Sequence, residues 1–430
     1  MAEPEECFSF LNSSRGEAAL GQMYGRRPEV LARQKQRYRG LIEKFLRLYP
    51  GETEIELFSS PGRSEVGGNH TDHNGGRVLA AALDLDIAAV ACKTGDGLMT
   101  LHSEGYPAVT VDTRQPEPVE AERLNPAALA RGVCARFSQL RYQVGGFKAC
   151  LDSTIPNGAG LSSSAAYEQL MAVILNELYN RASLNPVLMA QIGQFAEVSY
   201  FGKPSGGMDQ TTIAVGGLVT IDFKDFAAPL VRKLKYDFSR SGHVLAIVET
   251  GRGHTDLTDE YTAITQEMKA VAQALGGKVL RDVPPEKMLA NLPALRRQVS
   301  DRAILRALHF YGDDQRVVEQ VQALENGQFE RFLSLVNESG RSSWTLLQNC
   351  YSVRDPDHQG IPLALALTEQ LLRGRGARRV HGGGFGGTIQ VFLPAEELEG
   401  YVAGIEAVFG RGACHPVLVR PVGATRIVNR

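Results

Sequence analysis

Apolar positions change their spacing along the chain in a way that separates two halves. Residues 1–50 read as helix, with Leu31, Leu41, Ile42, Phe45, Leu46 and Leu48 interleaved with lysines and arginines. In Glu54–Ser59 the apolar Ile55 and Leu57 alternate with polar neighbours, as a half-buried strand requires. From Val78 to Thr113 the text is that of strands (VLAAALDLDIAAVAC, LMTLHS, AVTVDT) separated by glycine-bearing turns. Asn125–Tyr142 reads as a helix, and GFKACLDST as a further strand. Between Ala165 and Asn180 the residues Leu170, Ile174 and Leu178 return at helical spacing. Pro186–Ser199 is again helical, and GLVTIDF (Gly217–Phe223) reads as the strand that closes the first unit. The second half opens with the strand His243–Glu249, turns helical from Thr258 to Leu275, stays largely helical to Gln348 and ends on the strand Thr388–Leu393. The division this predicts is 1–225 and 226–430.

Composition narrows the class. At 430 residues the chain exceeds what one core holds, so two domains are expected. Hydrophobic content of 43%, charged content of 22% and a net charge of -2 describe an ordinary globular protein. The basic segments Arg33–Arg39 and Arg373–Arg379 read as solvated helix faces, so no nucleic-acid partner is expected. No apolar run approaches the roughly 18 residues of a membrane span, and the acidic start MAEPEEC is unlike a secretory signal. The six cysteines are scattered without C-x-x-C spacing, the pattern of structural thiols in a reducing cytosol. A cytoplasmic monomer is the expectation, with the single tryptophan, Trp344, used for packing.

Three glycine-rich stretches carry the candidate chemistry. In Ile155–Ala166 (IPNGAGLSSSAA), Gly158 and Gly160 let the loop curl, and Ser162, Ser163 and Ser164 open the following helix. Unpaired amides and the helix dipole make such a junction an anion site; the plainer reading is a serine-capped helix after an ordinary turn. Pro61–Gly76 holds five glycines in sixteen positions together with Arg63, Glu65, His70, Asp72 and His73. It reads either as a polar surface loop or as a site for a polar ligand, with Asp and His for hydroxyls and Arg for phosphate or carboxylate. Metal ligation by His70 and His73 is disfavoured in so glycine-rich a segment. The last stretch, His381–Gly387, leads into a strand and not a helix, which argues against a dinucleotide fold. Asp209 follows a Pro/Gly turn, where carboxylates often cap helices. An anion cradle, oxygen ligands for Mg²⁺, a carboxylate and a nearby cation are what phosphoryl transfer to a hydroxyl needs. Walker A, H-R-D and D-F-G signatures are all absent.

Four ordered motifs make the chain resemble the galactokinase branch of the GHMP small-molecule kinases over nearly all of residues 38–393. They are Pro61-Gly-Arg with His70-Thr-Asp72 and Gly75-Gly76, Pro156 through Ala166, Ala196-Glu197 with Gly206-Gly-Met-Asp-Gln210, and Gly382–Gly387. The resemblance implies an α+β fold of two domains. The N-terminal one is like ribosomal protein S5 domain 2 and the C-terminal one is ferredoxin-like, with ATP and sugar in the cleft between. It further implies Asp209 as the catalytic aspartate with Arg63 beside it. Ser164 and Glu197 match Mg²⁺ ligands, and Pro156, Gly158, Ala159, Gly160, Leu161, Ser162, Ser163 and Ser164 match the phosphate cradle. His70, Asp72, Gly206 and Tyr261 match sugar-contacting positions. The product would be a sugar 1-phosphate.

The sequence departs from the family at Asn69, which stands where a glutamate usually accepts from a sugar hydroxyl. That makes Asn69 the expected substrate-facing origin of any altered specificity, with galactose first and galacturonate, arabinose or an amino-sugar behind it. Segment Ser64–Gly67 and His73 also differ from the family, and aromatic residues expected near adenine are missing from Asn125–Ala130. A catalytically silent sugar sensor is the competing class, disfavoured because Ser162–Ala166, Glu197, Asp209 and Arg63 are all present.

Overall fold

Three helices open the chain, as the spacing predicts: α1 (Pro4–Asn12), α2 (Ser14–Tyr24) and α3 (Pro28–Leu48). α1 and α3 begin on proline, whose missing N–H costs nothing in a first turn, and Ser13 caps α2 by accepting from Gly16 N. The computed structural model describes residues 2–156, 158, 160–251 and 258–427. Next come β1 (Glu56–Gly67), β2 (Arg77–Lys93), β3 (Leu98–Ser103), β4 (Val109–Asp112), α4 (Pro126–Gln139), β5 (Phe147–Ser153), α5 (Ser163–Asn180), α6 (Pro186–Ala196), α7 (Met208–Val215), β6 (Leu218–Asp222) and β7 (Leu230–Leu234). The near-continuous apolar run of β2 has a simple cause, which is burial on both faces. Ala88, Val90 and Cys92 pack against the opening helices, while Ile87, Ala89 and Ala91 join the core under α4, α5 and α6.

The segment after Pro61 departs from the expected loop. It continues as strand, paired with β2 and buried throughout, and is broken only by register shifts between Pro61 and Arg63 and between Glu65 and Gly67. A bulge is where a strand tolerates proline and where a side chain is re-aimed. Here Arg63 lies between the two. The irregular loop is confined to the residues after Gly67, with a 3₁₀ turn at Asp72–Asn74.

The second half comprises β8 (His243–Glu249), α8 (Thr258–Ala274), α9 (Pro285–Ala290), α10 (Leu292–Leu295), α11 (Asp301–Glu325), α12 (Phe329–Ser342), α13 (Gly360–Leu372), β9 (Ala377–His381), β10 (Thr388–Pro394), α14 (Leu398–Phe409), β11 (Cys414–Val417) and β12 (Thr425–Arg426). Its sheet runs β11-β8-β10-β9, all antiparallel. The first sheet runs β12-β1-β2-β5-β3-β4, with β6 and β7 continuing from β2. A division at 225 therefore does not follow the sheets, because β7 still pairs with β6 and β12 returns to pair with β1. The hydrophobic alternation that marked β6 as a closing strand does not continue in LVRKL, whose polar side chains are exposed.

All six cysteines are buried and unpaired, and burial pushes the Cys92, Cys134, Cys350 and Cys414 thiols up to about 12. Trp344 is 45% exposed and is not the packing residue expected. No helix among the described residues is long and apolar enough to cross a membrane.

The two halves are tied together at Asn69. Its backbone N–H donates to Asp313 (2.8 Å), and its carbonyl is 2.9 Å from His309 Nε2, both on α11. Its side-chain amide donates to Glu65 Oε1 and to the Gly382 carbonyl, each at 2.8 Å. Its oxygen accepts from Ser343 (3.2 Å) and Asn349 (2.9 Å). That uses both donors and both lone pairs of the amide, and the residue is wholly buried. Asn69 is thus a structural clasp with no group left to offer a sugar, contrary to the substrate-facing role expected of it. Nor has the chain lost a carboxylate there: Glu65, held by Arg379 at 2.6 Å, supplies one four residues earlier. Asn69→Glu is expected to set two buried carboxylates against a single arginine and to lower unfolding stability by about 3 kcal/mol. Urea unfolding measures this, and a variant as stable as wild type would overturn the clasp.

Candidate active site

Arg63 leaves the bulge of β1 toward the N-terminus of α5. Its backbone N–H donates to the Leu161 carbonyl (3.1 Å), which fixes the glycine loop against the strand. Its guanidinium meets Asp209 in a two-pronged pair, Nε to Oδ1 at 2.6 Å and Nη2 to Oδ2 at 2.8 Å, while Nη1 donates to the Gly160 carbonyl at 2.6 Å. Ser162 completes the group. It occupies the left-handed region (φ 60°), leaves α5 without a side-chain cap, and donates its hydroxyl to Asp209 Oδ2. The capping readings of Ser162 and Asp209 therefore both give way to a mutual contact. Burial alone would raise the Asp209 carboxyl; the Arg63 charge and its hydrogen bonds, with Ser162 and Lys203, outweigh it and hold the group below the ordinary carboxylate range. Asp209 is thus ionised at neutral pH.

A second cluster lies one turn along. Ser164 Oγ donates to Glu197 Oε1 (3.2 Å). Glu197 follows α6 and begins a π-helical turn, Glu197–Phe201, packed against α4; such turns recur at functional sites. The Gln210 amide bridges Glu197 Oε2 (2.8 Å) and Glu168 Oε2 (3.0 Å). Burial, and then the Glu197 charge, push the Glu168 carboxyl well above its usual range. Lys203 Nζ reaches Glu197 Oε1 at 3.0 Å. Two hard oxygen donors in contact suit Mg²⁺, which takes one or two protein oxygens and completes its shell with phosphate and water.

Around the sugar-loop candidates, the imidazoles fix each other. His70 Nε2 lies 3.0 Å from the Gly383 carbonyl, His70 Nδ1 lies 3.4 Å from His73 Nε2, and His73 Nδ1 lies 2.9 Å from the Asn74 amide nitrogen. A carbonyl can only accept and an amide nitrogen only donate, so one assignment fits: both rings are neutral with the proton on Nε2. Burial and, for His73, the His70 and Lys269 charges also disfavour protonation, with His70 lowered to about 4. All four ring nitrogens are engaged, which leaves this pair none for a metal. Gly206 abuts Asp72 so closely that a Cβ there would land on the carboxylate. Tyr261 donates to the Gly384 carbonyl (3.2 Å), its ring edge-on to Phe385.

The structure brings Arg63, Gly160, Leu161, Ser162 and Asp209 into one contact group, and Ser164 with Glu197 into another. His70 and Tyr261 meet the Gly383–Gly384 segment and Asp72 abuts Gly206; Asn69 is withdrawn into the clasp. Ala159 lies outside the described residues, and among those described Pro156, Gly158 and Ser163 carry no side-chain contact that bears on the site. Sequence reasoning passed over Glu168, Lys203 and Gln210. Glu168 stands four residues after Ser164 on α5, hence on its face, and Gln210 adjoins Asp209. Either spacing is a usable signal; a lysine in a Pro/Gly turn is not.

The GHMP kinases N terminal domain model matches residues 128–217, and the galactokinase galactose-binding signature matches residues 43–93. The galactokinase of Streptomyces coelicolor is 32% identical over 370 residues, covering 85% of this chain and 92% of its own. Human galactokinase is 32% identical over 380 residues, covering 86% and 90%. Among solved structures, Lactococcus lactis galactokinase complexed with galactose superposes with a TM-score of 0.77 at 22% identity, covering 89% of this chain and 98% of that one. The mevalonate kinase of Methanococcus jannaschii shares the fold more distantly, with a TM-score of 0.59 at 14% identity over 85% and 98% of the two chains. With two domain signatures and full-length relatives at this identity, the chain belongs to the galactokinase family of the GHMP kinases.

Proposed function

We propose that this chain transfers the terminal phosphoryl group of ATP to the anomeric hydroxyl of galactose, giving galactose 1-phosphate and ADP. The observation that carries the reading is the Arg63–Asp209 pair, an ionised carboxylate between the glycine loop at the α5 N-terminus and the His70–Asp72 loop. An acceptor hydroxyl beside Asp209 would donate to it. Arg63 would offset charge building on the acceptor oxygen as the new O–P bond forms. The amides of the first turn of α5 would hold the phosphates. Ser164 and Glu197 would hold Mg²⁺, which neutralises phosphate charge when bound. Asp72 would orient the sugar ring, and His70, whose ring nitrogens are both engaged, would hold the loop that carries it. Galacturonate, arabinose and amino-sugars lose their motive as preferred substrates, because Asn69 faces no ligand and Glu65 keeps a carboxylate beside it at the end of β1.

The direct test is ADP release with Mg-ATP against galactose, galacturonate, arabinose, N-acetylgalactosamine and glucose, with phosphorus NMR on the product. Galactose phosphorylated at its anomeric oxygen is the expected result; preference for another sugar, or silence with all, removes the reading. Asp209→Ala is expected to lower kcat at least 100-fold while leaving the circular dichroism spectrum unchanged, and near wild-type turnover would sink the role given to Asp209.

Asp72 yields a pH prediction. Burial first, then the Asp209 and Glu65 charges, push its carboxyl up to about 7. Against an unfolded value near 4, the folded chain keeps a proton that the unfolded chain has released. The stability linked to this group is therefore fully present below about pH 4 and is lost as pH rises through about 7. Asp72→Asn removes that loss, so its Tm relative to wild type is expected to rise by a few degrees between pH 5 and pH 8. A pH-independent difference in thermal melts would show that Asp72 titrates normally.

A further inference from the structure

Lys203 stands apart from the other cation of the site. Arg63 is buried and spends three donors on Asp209 and the Gly160 carbonyl. Among the described residues Lys203 makes one side-chain hydrogen bond, to Glu197 Oε1, and its side chain is 49% exposed. Its backbone is pinned: the Lys203 N–H donates to the Glu197 carbonyl at 3.1 Å, closing the π-helical turn, after Gly202 has reversed the chain at φ 87°. A fixed stem with two free ammonium donors is built to hold something more than Glu197.

The surroundings say what. Glu197 Oε1 also accepts from Ser164, in the first turn of α5, so Lys203 sits beside the positive end of a helix dipole. A lysine there is disfavoured unless an anion shares the space. Glu197 offsets one charge. If that carboxylate also serves Mg²⁺, Lys203, the metal and the helix end are three positive groups sharing Glu197, while the Asp209 charge that also acts on Lys203 is already paired with Arg63. A polyphosphate supplies the missing negative charge to all three.

Resting on the kinase reading above, we propose that Lys203 binds the terminal phosphate of the nucleotide, leaving Glu197 Oε1 as the Mg-nucleotide arrives and donating to a terminal phosphate oxygen through transfer. The ammonium stays protonated throughout. It moves no proton and forms no bond to phosphorus; its contribution is positive charge on the group in flight.

The experiment measures calorimetric affinities for Mg-ADP and for the non-hydrolysable Mg-AMPPNP in wild type, Lys203→Met and Lys203→Arg. A contact to the terminal phosphate predicts that Lys203→Met weakens AMPPNP about tenfold or more while ADP changes less than about threefold, the loss expected of one hydrogen bond to a charged group. Lys203→Arg, which keeps the charge, should recover most of the AMPPNP affinity. In turnover, Lys203→Met should lower kcat with little change in KM for the sugar. Equal weakening of both nucleotides, or of neither, would overturn the inference about Lys203 and leave the kinase reading intact. A wild-type protein that binds neither nucleotide would instead remove the kinase reading and this inference with it.

Discussion

The site depends on one ion pair, a buried Arg63 held against an Asp209 that is only partly exposed. Arg63 and Asp209 are 146 residues apart in the chain, and a charge pair withdrawn from water stabilises nothing unless its remaining donors and acceptors are met. The fold meets them by convergence. Two bulges in β1 aim the guanidinium, the Gly160 carbonyl takes its third donor, and a left-handed Ser162 turns its hydroxyl to the carboxylate. Each contact fixes a different segment, so the pair organises strand, glycine loop and α7 at once. What stabilises the loop is also what presents an ionised carboxylate to a substrate.

Around that pair the protein handles an excess of acid in several ways. Asp209 and Glu65 are matched to arginines. Glu168, whose carboxyl burial pushes well above its usual range, is bonded to the Gln210 amide, which also steadies Glu197. Glu197 is left for a cation, with Lys203 against it. Like charges crowded this closely resist ionising together. A site that must accept the charge of ATP benefits from bonded and paired carboxylates in place of free ones.

Much of this was legible from residues alone, and the exceptions have physical causes. Periodicity found the elements because most bury one clear face; α5 and β8 appear where apolar spacing placed them. It missed the strand beyond Pro61, because proline and glycine mark loops in general and only tertiary pairing with β2 turns this segment into a bulged strand. It set the boundary at 225 because β7 exposes a polar edge that carries no hydrophobic signal. Motif order located Arg63, Asp209, Ser164 and Glu197. It misjudged Asn69, since a replaced residue in a motif reads as a changed contact to ligand, whereas its partners Asn349, Ser343 and Gly382 lie 274 to 313 residues away and no local pattern announces them. Trp344 shows the reverse error, a large apolar residue left at the surface.

The return of the chain to its first sheet has a consequence for biosynthesis. β1 has β2 along one edge; along the other the Leu161 carbonyl meets the Arg63 N–H, and β12 pairs its Thr425 and Arg426 with Ser59 and Phe58. From the same tail the buried Arg420 reaches Ser59 and Asp86. A ribosome adding about 5–20 residues per second needs tens of seconds to travel from β1 to that tail. Throughout that interval the nascent chain carries an unpaired sheet edge, the surface on which strands of other chains most readily add. The strand that holds Arg63 is therefore closed last, after the whole second half has left the exit tunnel, and shielding by chaperones matters most for this stretch.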